Sequence, residues 1–432
     1  MFKAGSASVE ITPEVGVELA GWDFGPSKGI LDPLWATSLV LELNDQSPVV
    51  LVSTDLIGIA RKYIENIRDK IEKKFSIPSK NIFISATHTH SGPAAISLRE
   101  WGKVSQEYIS FLIKKIVYCV GKAKRTIQPA RIGYNKDNIA KNYLINREFD
   151  NGVVDDELGL LKIEDLNGRI IALLTNFTCH PVGLHSINNK KISADYPGYI
   201  RKKIECFFNE EIDFFFLNGA SGNINPSFVT PGGLKCEQEK TKKMGFKLGK
   251  EIYNIFSSLK SKDVSYLNIL SHKVTLGLQN LPSVEKLQKE KKRWQQKLKN
   301  TSSETSDEKV SRILIELDYL KEAIKAHRKN VIKDSWEIEI QALRIDNFVL
   351  VGLPFEPYVE IGLKIKKKSP FDFTYIVELT NGAYSYLPIE KAFKKNSYAA
   401  GGLAHKVYGI YLVEQNSAEK VIRESIKLLK KV

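Results

Sequence analysis

The chain has 432 residues, 43% hydrophobic and 26% charged, enough to bury a large core in one big domain or two moderate ones. No apolar run approaches the roughly 20 residues that span a bilayer, and Met1 to Gly5 leads into strand-like sequence without the apolar core of a secretion signal, so a cytoplasmic location is expected. The net charge of +14 raises the question of a polyanionic partner. Fourteen Lys or Arg against eight Asp or Glu fall between Ser283 and Lys333, the rest of the excess is thinly spread, and basic residues do not interleave with aromatic ones. Nucleic acid is therefore excluded as a partner, and a weak attraction to anionic surfaces is the most the charge supports.

In chain order the expected elements are a strand at Pro48 to Ser53, a helix at Lys62 to Lys74, a strand at Ile82 to Ser85 and a helix at Ser105 to Lys122. Strands follow at Ile170 to Asn176 and Phe214 to Leu217. From Ser283 the texture turns Lys/Glu/Gln-rich, broken by Asn300 to Asp307, and Ile313, Leu314, Leu317, Leu320 and Ile324 recur at helical spacing. This predicts a helical hairpin insertion over 283–333. Trp336, Ile338, Ile340 and Ala342 then alternate with polar residues as in a half-buried strand, and strands are expected at Phe348 to Gly352 and Tyr375 to Leu379. The alternation predicts a mixed α/β fold, a multi-stranded sheet core with flanking helices, in which residues 1–432 form a single catalytic domain. Cys119, Cys179, Cys206 and Cys236 lie far apart, which argues against both a disulfide framework and a thiolate zinc site.

Polar cargo follows each buried strand, as expected of a site at strand C-terminal ends. After Ile82 to Ile84 comes Thr87-His88-Thr89-His90-Ser91-Gly92-Pro93, and after Ala172 to Leu174 comes Cys179-His180-Pro181. After Phe214 to Leu217 comes Asn218-Gly219-Ala220-Ser221-Gly222-Asn223, while Glu356 and the segment Thr380 to Tyr386 follow the last two strands. Only seven histidines exist in the chain, and three of them occupy these positions. Neutral imidazoles with a carboxylate suit Zn2+, in a site of about four ligands that leaves room for water or substrate. In extended backbone, the two rings of an HxH pair lie on one side, so one can bind the metal while the other handles protons. Asp55 and Asp195 are candidates to orient the ligand histidines, with capping or turn roles as the alternative, and His185 is a candidate pocket residue. His272, His327 and His405 lack a supporting context.

These residues carry a family resemblance. Glu10-Ile11-Thr12-Pro13, Asp32-Pro33-Leu34, the HTHSGP stretch, Asn146-Arg147, Cys179-His180-Pro181, Ser193 to Tyr199 and Asn381 to Tyr386 together resemble the neutral/alkaline ceramidase family, over nearly the whole chain. The resemblance implies an enzyme that hydrolyses an N-acyl amide bond around Zn2+. It implies His88, His180, Glu356 and Tyr386 as the metal ligands, and His90, Arg147 and Tyr398 as active-site residues. The competing reading for Arg147 is an ion pair with Asp155 or Asp156, for Glu356 a helix-start carboxylate, and for the tyrosines a core role.

The chain departs from the family pattern twice. Where the family has a serine in a Gly-Asn-x-Ser-Pro turn, this chain reads Gly222-Asn223-Ile224-Asn225-Pro226. Ser221 and Ser227 are out of register and nothing near them in sequence suggests an activating base, so a serine nucleophile is disfavoured. The chain also stops soon after Tyr398, so the family's C-terminal immunoglobulin-like domain is expected to be absent. The expected mechanism is a zinc-activated water, with His90 as proton carrier, Arg147 and Tyr398 stabilising the oxyanion and Asn225 holding the same oxygen or the substrate. The expected partner is a small N-acyl compound, a lipid or an amino sugar. A cytoplasmic deacetylase of a small metabolite and a non-catalytic binding protein are the alternatives.

Overall fold

The computed structural model describes the chain apart from residues 22–24, 45, 140, 185–189, 230–237 and 303–304. In chain order its strands are β1 (Phe2–Glu10), β2 (Gly29–Ile30), β3 (Trp35–Leu43), β4 (Val49–Thr54), β5 (Ile82–Ala86), β6 (Gln128–Asn138), β7 (Leu144–Asn146), β8 (Glu157–Asp165) and β9 (Ile170–Phe177). There follow β10 (Lys191–Ile192), β11 (Phe214–Asn218), β12 (Ile224–Pro226), β13 (Leu267–Gly277), β14 (Ser335–Ile345), β15 (Phe348–Gly352), β16 (Glu356–Pro357), β17 (Phe373–Val377) and β18 (Tyr386–Leu387). The helices are α1 (Arg61–Phe75), α2 (Gln106–Arg125), α3 (Tyr196–Phe208), α4 (Gln238–Ser258), α5 (Val284–Lys299), α6 (Asp307–Arg328), α7 (Val359–Lys368), α8 (Glu390–Lys394), α9 (Ala404–Tyr408) and α10 (Ser417–Leu429).

The apolar runs become strands covered on both faces. Along β4, Val50 and Val52 pack under α1 and α2, whereas Val49 and Leu51 face a second sheet, which is why the run reads as continuously hydrophobic. The first sheet has the order β11-β9-β8-β6-β1-β3-β4-β5 and the second the order β13-β14-β15-β17. Phe83, Leu161, Phe215, Leu350, Tyr375 and Val377 fill the space between them. Helices α1 to α4 cover the outer face of the first sheet, and α7 and α10 pack on the second. Truncating a side chain of the inter-sheet core, such as Phe83, costs about 3–5 kcal/mol.

Most ladders are antiparallel, but besides the two-residue pairs β2/β10 and β16/β18 three longer pairs are parallel: β4 with β5, β9 with β11, and β15 with β17. The first two pairs form opposite edges of the large sheet, yet they meet, because Ser53 Oγ of β4 donates to the Phe216 carbonyl of β11 at 2.8 Å. Asn176 Nδ2 bonds the carbonyls of Leu217 and Ile376, each at 2.8 Å, and so ties the third pair to the second. The C-terminal ends of all three pairs thereby converge, and every strand-end segment singled out in the sequence lies at that convergence.

The hairpin forms as α5 and α6. Ser283 caps α5 by accepting from Lys286 N, and α5 is otherwise mostly solvated, with Leu287 buried. Helix α6 buries Ile313, Ile315, Leu317, Leu320, Ala323 and Ile324. Cys119 and Cys179 are buried free thiols and Cys206 an exposed one; Cys236 lies outside the described residues.

Candidate metal centre

Strand β5 ends at Ala86, and two residues later His88 takes φ 73°, a left-handed conformation that costs a non-glycine residue roughly 1–2 kcal/mol. The surroundings hold it there. His88 N donates to the Leu56 carbonyl at 2.9 Å, and Nδ1 lies 2.7 Å from the Ile57 carbonyl. The expectation of an extended HxH pair is thus corrected: the backbone reverses at His88, and the rings of His88 and His90 meet edge to face with centroids 4.8 Å apart.

His180 follows β9. Its backbone N–H donates to the Ile224 carbonyl at 3.0 Å, and its Nδ1 lies 2.7 Å from the Ser221 carbonyl. The Ser193 to Tyr199 motif brackets this segment. Tyr196 Oη donates to the Cys179 carbonyl at 2.7 Å, and Asp195, at φ 61°, accepts from Leu184 N while capping α3 through Tyr196 N. Asp195 is therefore a cap and does not orient a ligand histidine. Asp55 does not do so either, since its carboxylate accepts from Trp35 N at 2.9 Å.

A carbonyl oxygen can only accept, so on both His88 and His180 the proton sits on Nδ1 and Nε2 presents a lone pair. These two Nε2 atoms are 3.1 Å apart. Glu356 Oε2 lies 3.0 Å from His180 Nε2 and 3.3 Å from His88 Nε2. Three acceptors thus face one point inside a fully buried cluster, an arrangement that is repulsive unless a cation or a proton lies among them. The electrostatics agree. Burial opposes ionisation of Glu356, yet His88 and His180 outweigh it and hold the carboxyl well below its ordinary range. Burial and then the Arg147 charge push His180 down to about 3, keeping it neutral as a metal ligand must be. At His88, burial is outweighed by the Glu356 charge and the shift is upward. The field that draws a proton there draws a metal cation equally.

Glu356 and Tyr386 are register partners in the two-residue parallel ladder of β16 and β18, which puts their side chains on one side. Glu356 is consequently no helix-start carboxylate; α7 begins only at Val359. Arg147 donates from one NH2 to the Gly222 carbonyl at 2.8 Å and to Tyr386 Oη at 3.0 Å, with its guanidinium 5.8 and 6.0 Å from the ring centres of Tyr386 and Tyr398. The alternative ion pair is not made: Asp155 pairs with Lys366 at 2.7 Å. His90 Nε2 is 3.3 Å from His88 Nε2, and the potential ligand atoms of His88, His90 and His180 all lie within 4.8 Å of one another. Asn225 sits on β12 opposite Ile145 of β7, one residue from the carbonyl that holds His180, and its Oδ1 is buried without a hydrogen-bond partner among the described residues.

The eight site residues expected from sequence thus lie in or beside one cluster. His185 falls outside the described residues. His272 pairs with Glu424, His327 bonds the Pro282 carbonyl and His405 packs on Tyr319, all apart from the cluster.

Two further residues had no sequence signal. Glu378 is fully buried and accepts from Ser221 Oγ at 2.7 Å, Ser221 N at 3.0 Å and Asn218 Nδ2 at 2.8 Å; burial pushes its carboxyl up to about 8. Ser221 Oγ also lies 3.2 Å from His180 Nδ1. No activating base is visible near Ser221 in sequence, because the titratable groups beside it, Glu378 and His180, arrive from distant strands. The second is Tyr408, at the end of α9, whose hydroxyl donates to Glu356 Oε1. Ser227 is exposed and its hydroxyl donates to the Asn142 carbonyl at 2.9 Å. Beyond Tyr398 opens a cavity of about 350 Å³, its walls including Trp101, Ser311, Ile315 and Leu403.

Fold and site define a buried histidine–carboxylate centre set where three parallel strand pairs of a mixed α/β domain converge. The sequence profile described as neutral/alkaline non-lysosomal ceramidase, N-terminal, matches residues 2–246, and the chain belongs to this family. It is 24% identical over 281 residues to the neutral ceramidase of Pseudomonas aeruginosa, an alignment covering 59% of this chain and 42% of that protein. It is 28% identical over 185 residues to neutral ceramidase B of Dictyostelium discoideum, covering 38% of this chain and 26% of the relative. The matches thus span less than half the length of these relatives. The crystal structure of the Pseudomonas aeruginosa neutral ceramidase superposes with a TM-score of 0.75 at 19% identity, covering all of this chain and 75% of that one. A ceramidase structure described as complexed with C2 gives 0.73 at 18% identity.

Proposed function

We propose that this chain is a zinc-dependent hydrolase that cleaves the amide bond of an N-acylated lipid of the ceramide type. The observation that carries the reading is the convergence of His88 Nε2, His180 Nε2 and Glu356 Oε2 on one point, with Tyr386 brought alongside by the β16/β18 register. These four residues would hold Zn2+, and their hard oxygen and neutral imidazole donors suit it. When bound, zinc supplies Lewis-acid polarisation of the amide carbonyl and a lowered pKa for a coordinated water.

The remaining chemistry belongs to the chain. His90, whose ring meets that of His88 edge to face, takes the proton from the attacking water and delivers it to the leaving amine. Arg147 keeps its charge because Tyr386 and Glu356 outweigh the effect of burial, and with Tyr398 it faces the oxyanion that develops at the carbonyl. Its bond to Tyr386 fixes its direction. Ser221 serves His180 and Glu378 and is fully buried, which supports water rather than serine as nucleophile. The cavity past Tyr398 has an apolar side formed by Trp101, Ile315 and Leu403 that suits an alkyl arm, with Glu308, Arg312 and Asn396 also in its wall. Recombinant protein loaded with Zn2+ and assayed on N-acyl sphingoid bases bearing acetyl, hexanoyl, dodecanoyl and palmitoyl chains should show kcat/KM rising with chain length. Faster deacetylation of an N-acetyl amino sugar, or zinc binding with no hydrolysis of any amide, would refute the proposal.

A further inference from the structure

Glu356 offers two oxygens, and only Oε2 faces the histidines. Its Oε1 accepts from the Tyr408 hydroxyl, and the Tyr408 ring packs edge-on against Tyr386 with centroids 6.1 Å apart. A carboxylate with one oxygen held in this way cannot rotate without breaking a buried hydrogen bond. Tyr408 lies on α9, a helix of five residues that has no side-chain cap. Too short to be stable alone, α9 needs external support.

That support comes from the hairpin side. Lys406 of α9 pairs with both oxygens of Glu316 of α6, each at 2.9 Å. Arg99 donates to the carbonyls of Lys406 and Gly409, which bracket Tyr408, and itself pairs with Glu322 of α6. A continuous chain of polar contacts therefore runs from α6 through Arg99 and Lys406 to α9 and on to Glu356.

We propose that Tyr408 is the positioning residue of the Glu356 carboxylate, holding it to the histidines through a single oxygen, and that the α5/α6 hairpin keeps Tyr408 in place. The inference rests on the zinc-centre reading above. It gives the hairpin a role in metal retention as well as in walling the substrate cavity.

The test uses the full chain and zinc alone. Tyr408→Phe keeps the ring and removes only the hydroxyl, so the metal-free protein should stay cooperatively folded, its melting temperature lowered only by the loss of one buried hydrogen bond, while zinc release to a competing chelator becomes about 10–100-fold more favourable. Glu316→Gln combined with Glu322→Gln should shift zinc release in the same direction by a smaller factor. Tyr384→Phe serves as control, because that hydroxyl bonds the Glu337 carbonyl and Arg61 away from the centre, and it should leave zinc release unaltered. Parental zinc retention in Tyr408→Phe would overturn the role of Tyr408. Loosening by Tyr408→Phe without any effect of the double variant would overturn the role of the hairpin. A parent protein that binds no zinc would instead overturn the centre itself.

Discussion

The assignment of His180 as ligand and His90 as proton carrier makes a quantitative prediction. His180 Nε2 contacts both His88 Nε2 at 3.1 Å and Glu356 Oε2 at 3.0 Å, whereas His90 Nε2 lies 3.3 Å from His88 Nε2. Apparent binding energies of four-ligand zinc sites are about 10–16 kcal/mol, so one ligand of four carries roughly 3–4 kcal/mol, and His180→Ala should weaken zinc binding by about 10²–10³-fold. His90 is not the partner that orients His88, because the Nδ1 of His88 is already taken by the Ile57 carbonyl. His90→Ala should therefore weaken zinc binding less than about tenfold, below the usual effect of an orienting residue. Hydrolysis should nonetheless fall by about 10²–10⁴-fold in that variant, the range expected for loss of a general base. Competition against a fluorescent zinc chelator gives the affinities, and metal analysis of the purified variants checks occupancy. Equal zinc loss in the two variants would refute the assignment, since the three histidines are close enough for His90 to be a ligand in its own right.

Asn225→Ala should cost little stability, because Oδ1 makes no bond to lose, but should lower turnover by about 10²–10³-fold if its amide serves the oxyanion. Covalent acyl-enzyme detected by mass spectrometry on Ser221 or Ser227 would overturn water as nucleophile. Burial, against the opposing Arg201 charge, raises Asp55 from 3.8 to about 6, so the folded protein favours its protonated form. That contribution is fully present below about pH 4 and is lost as pH rises through about 6, a swing of about 3 kcal/mol against stability. Urea unfolding of the parent and Asp55→Asn should show the variant gaining on the parent over this window, and a pH-independent difference would contradict the shift.

How legible each element was in the sequence followed from how it is buried. The runs at Val49, Phe214 and Phe348 were plain because both faces of those strands are covered. β6 was missed because its buried residues Ala130, Ile132 and Gly133 are interspersed with or followed by exposed Arg131, Asn135 and Asp137, leaving no run to see. Helix α3 was hidden behind the Ser193 to Tyr199 motif, whose residues prove to cap a helix and bracket His180. The histidines announced themselves through local motifs; Glu356 and Tyr386 stood out only as residues following buried strands, and family resemblance was needed to give them and Arg147 a role. Glu378 and Tyr408 had neither signal. Each acts through a partner more than fifty positions away, Ser221 and Glu356 respectively, and no local pattern of residue types encodes such a pairing.

The same non-locality explains why the centre depends on so little backbone. Glu356 and Tyr386 face one point because β16 and β18 pair in one register, and in a strand a slip of one residue would turn each side chain to the opposite face. A two-residue ladder cannot enforce its own register. Its own bonds, from Glu356 N to the Ser385 carbonyl and from Tyr358 N to the Leu387 carbonyl, are reinforced from outside by Gly222 N donating to the Pro357 carbonyl. Asn381, at φ 59°, adds a fourth constraint. Its backbone N–H and side-chain carbonyl bond Ile84 on β5, and its amide donates to Gln341 of β14 at 2.7 Å. The Thr380 to Tyr386 segment is thereby tied to the strand that delivers His88, and the spacing of the histidines from the carboxylate is set by a backbone link between the two sheets. Asparagine suits this position because it tolerates the left-handed conformation while bonding on both sides. The Asn381 to Tyr386 motif is thus a geometric requirement of the centre, although only its last residue is paired with Glu356.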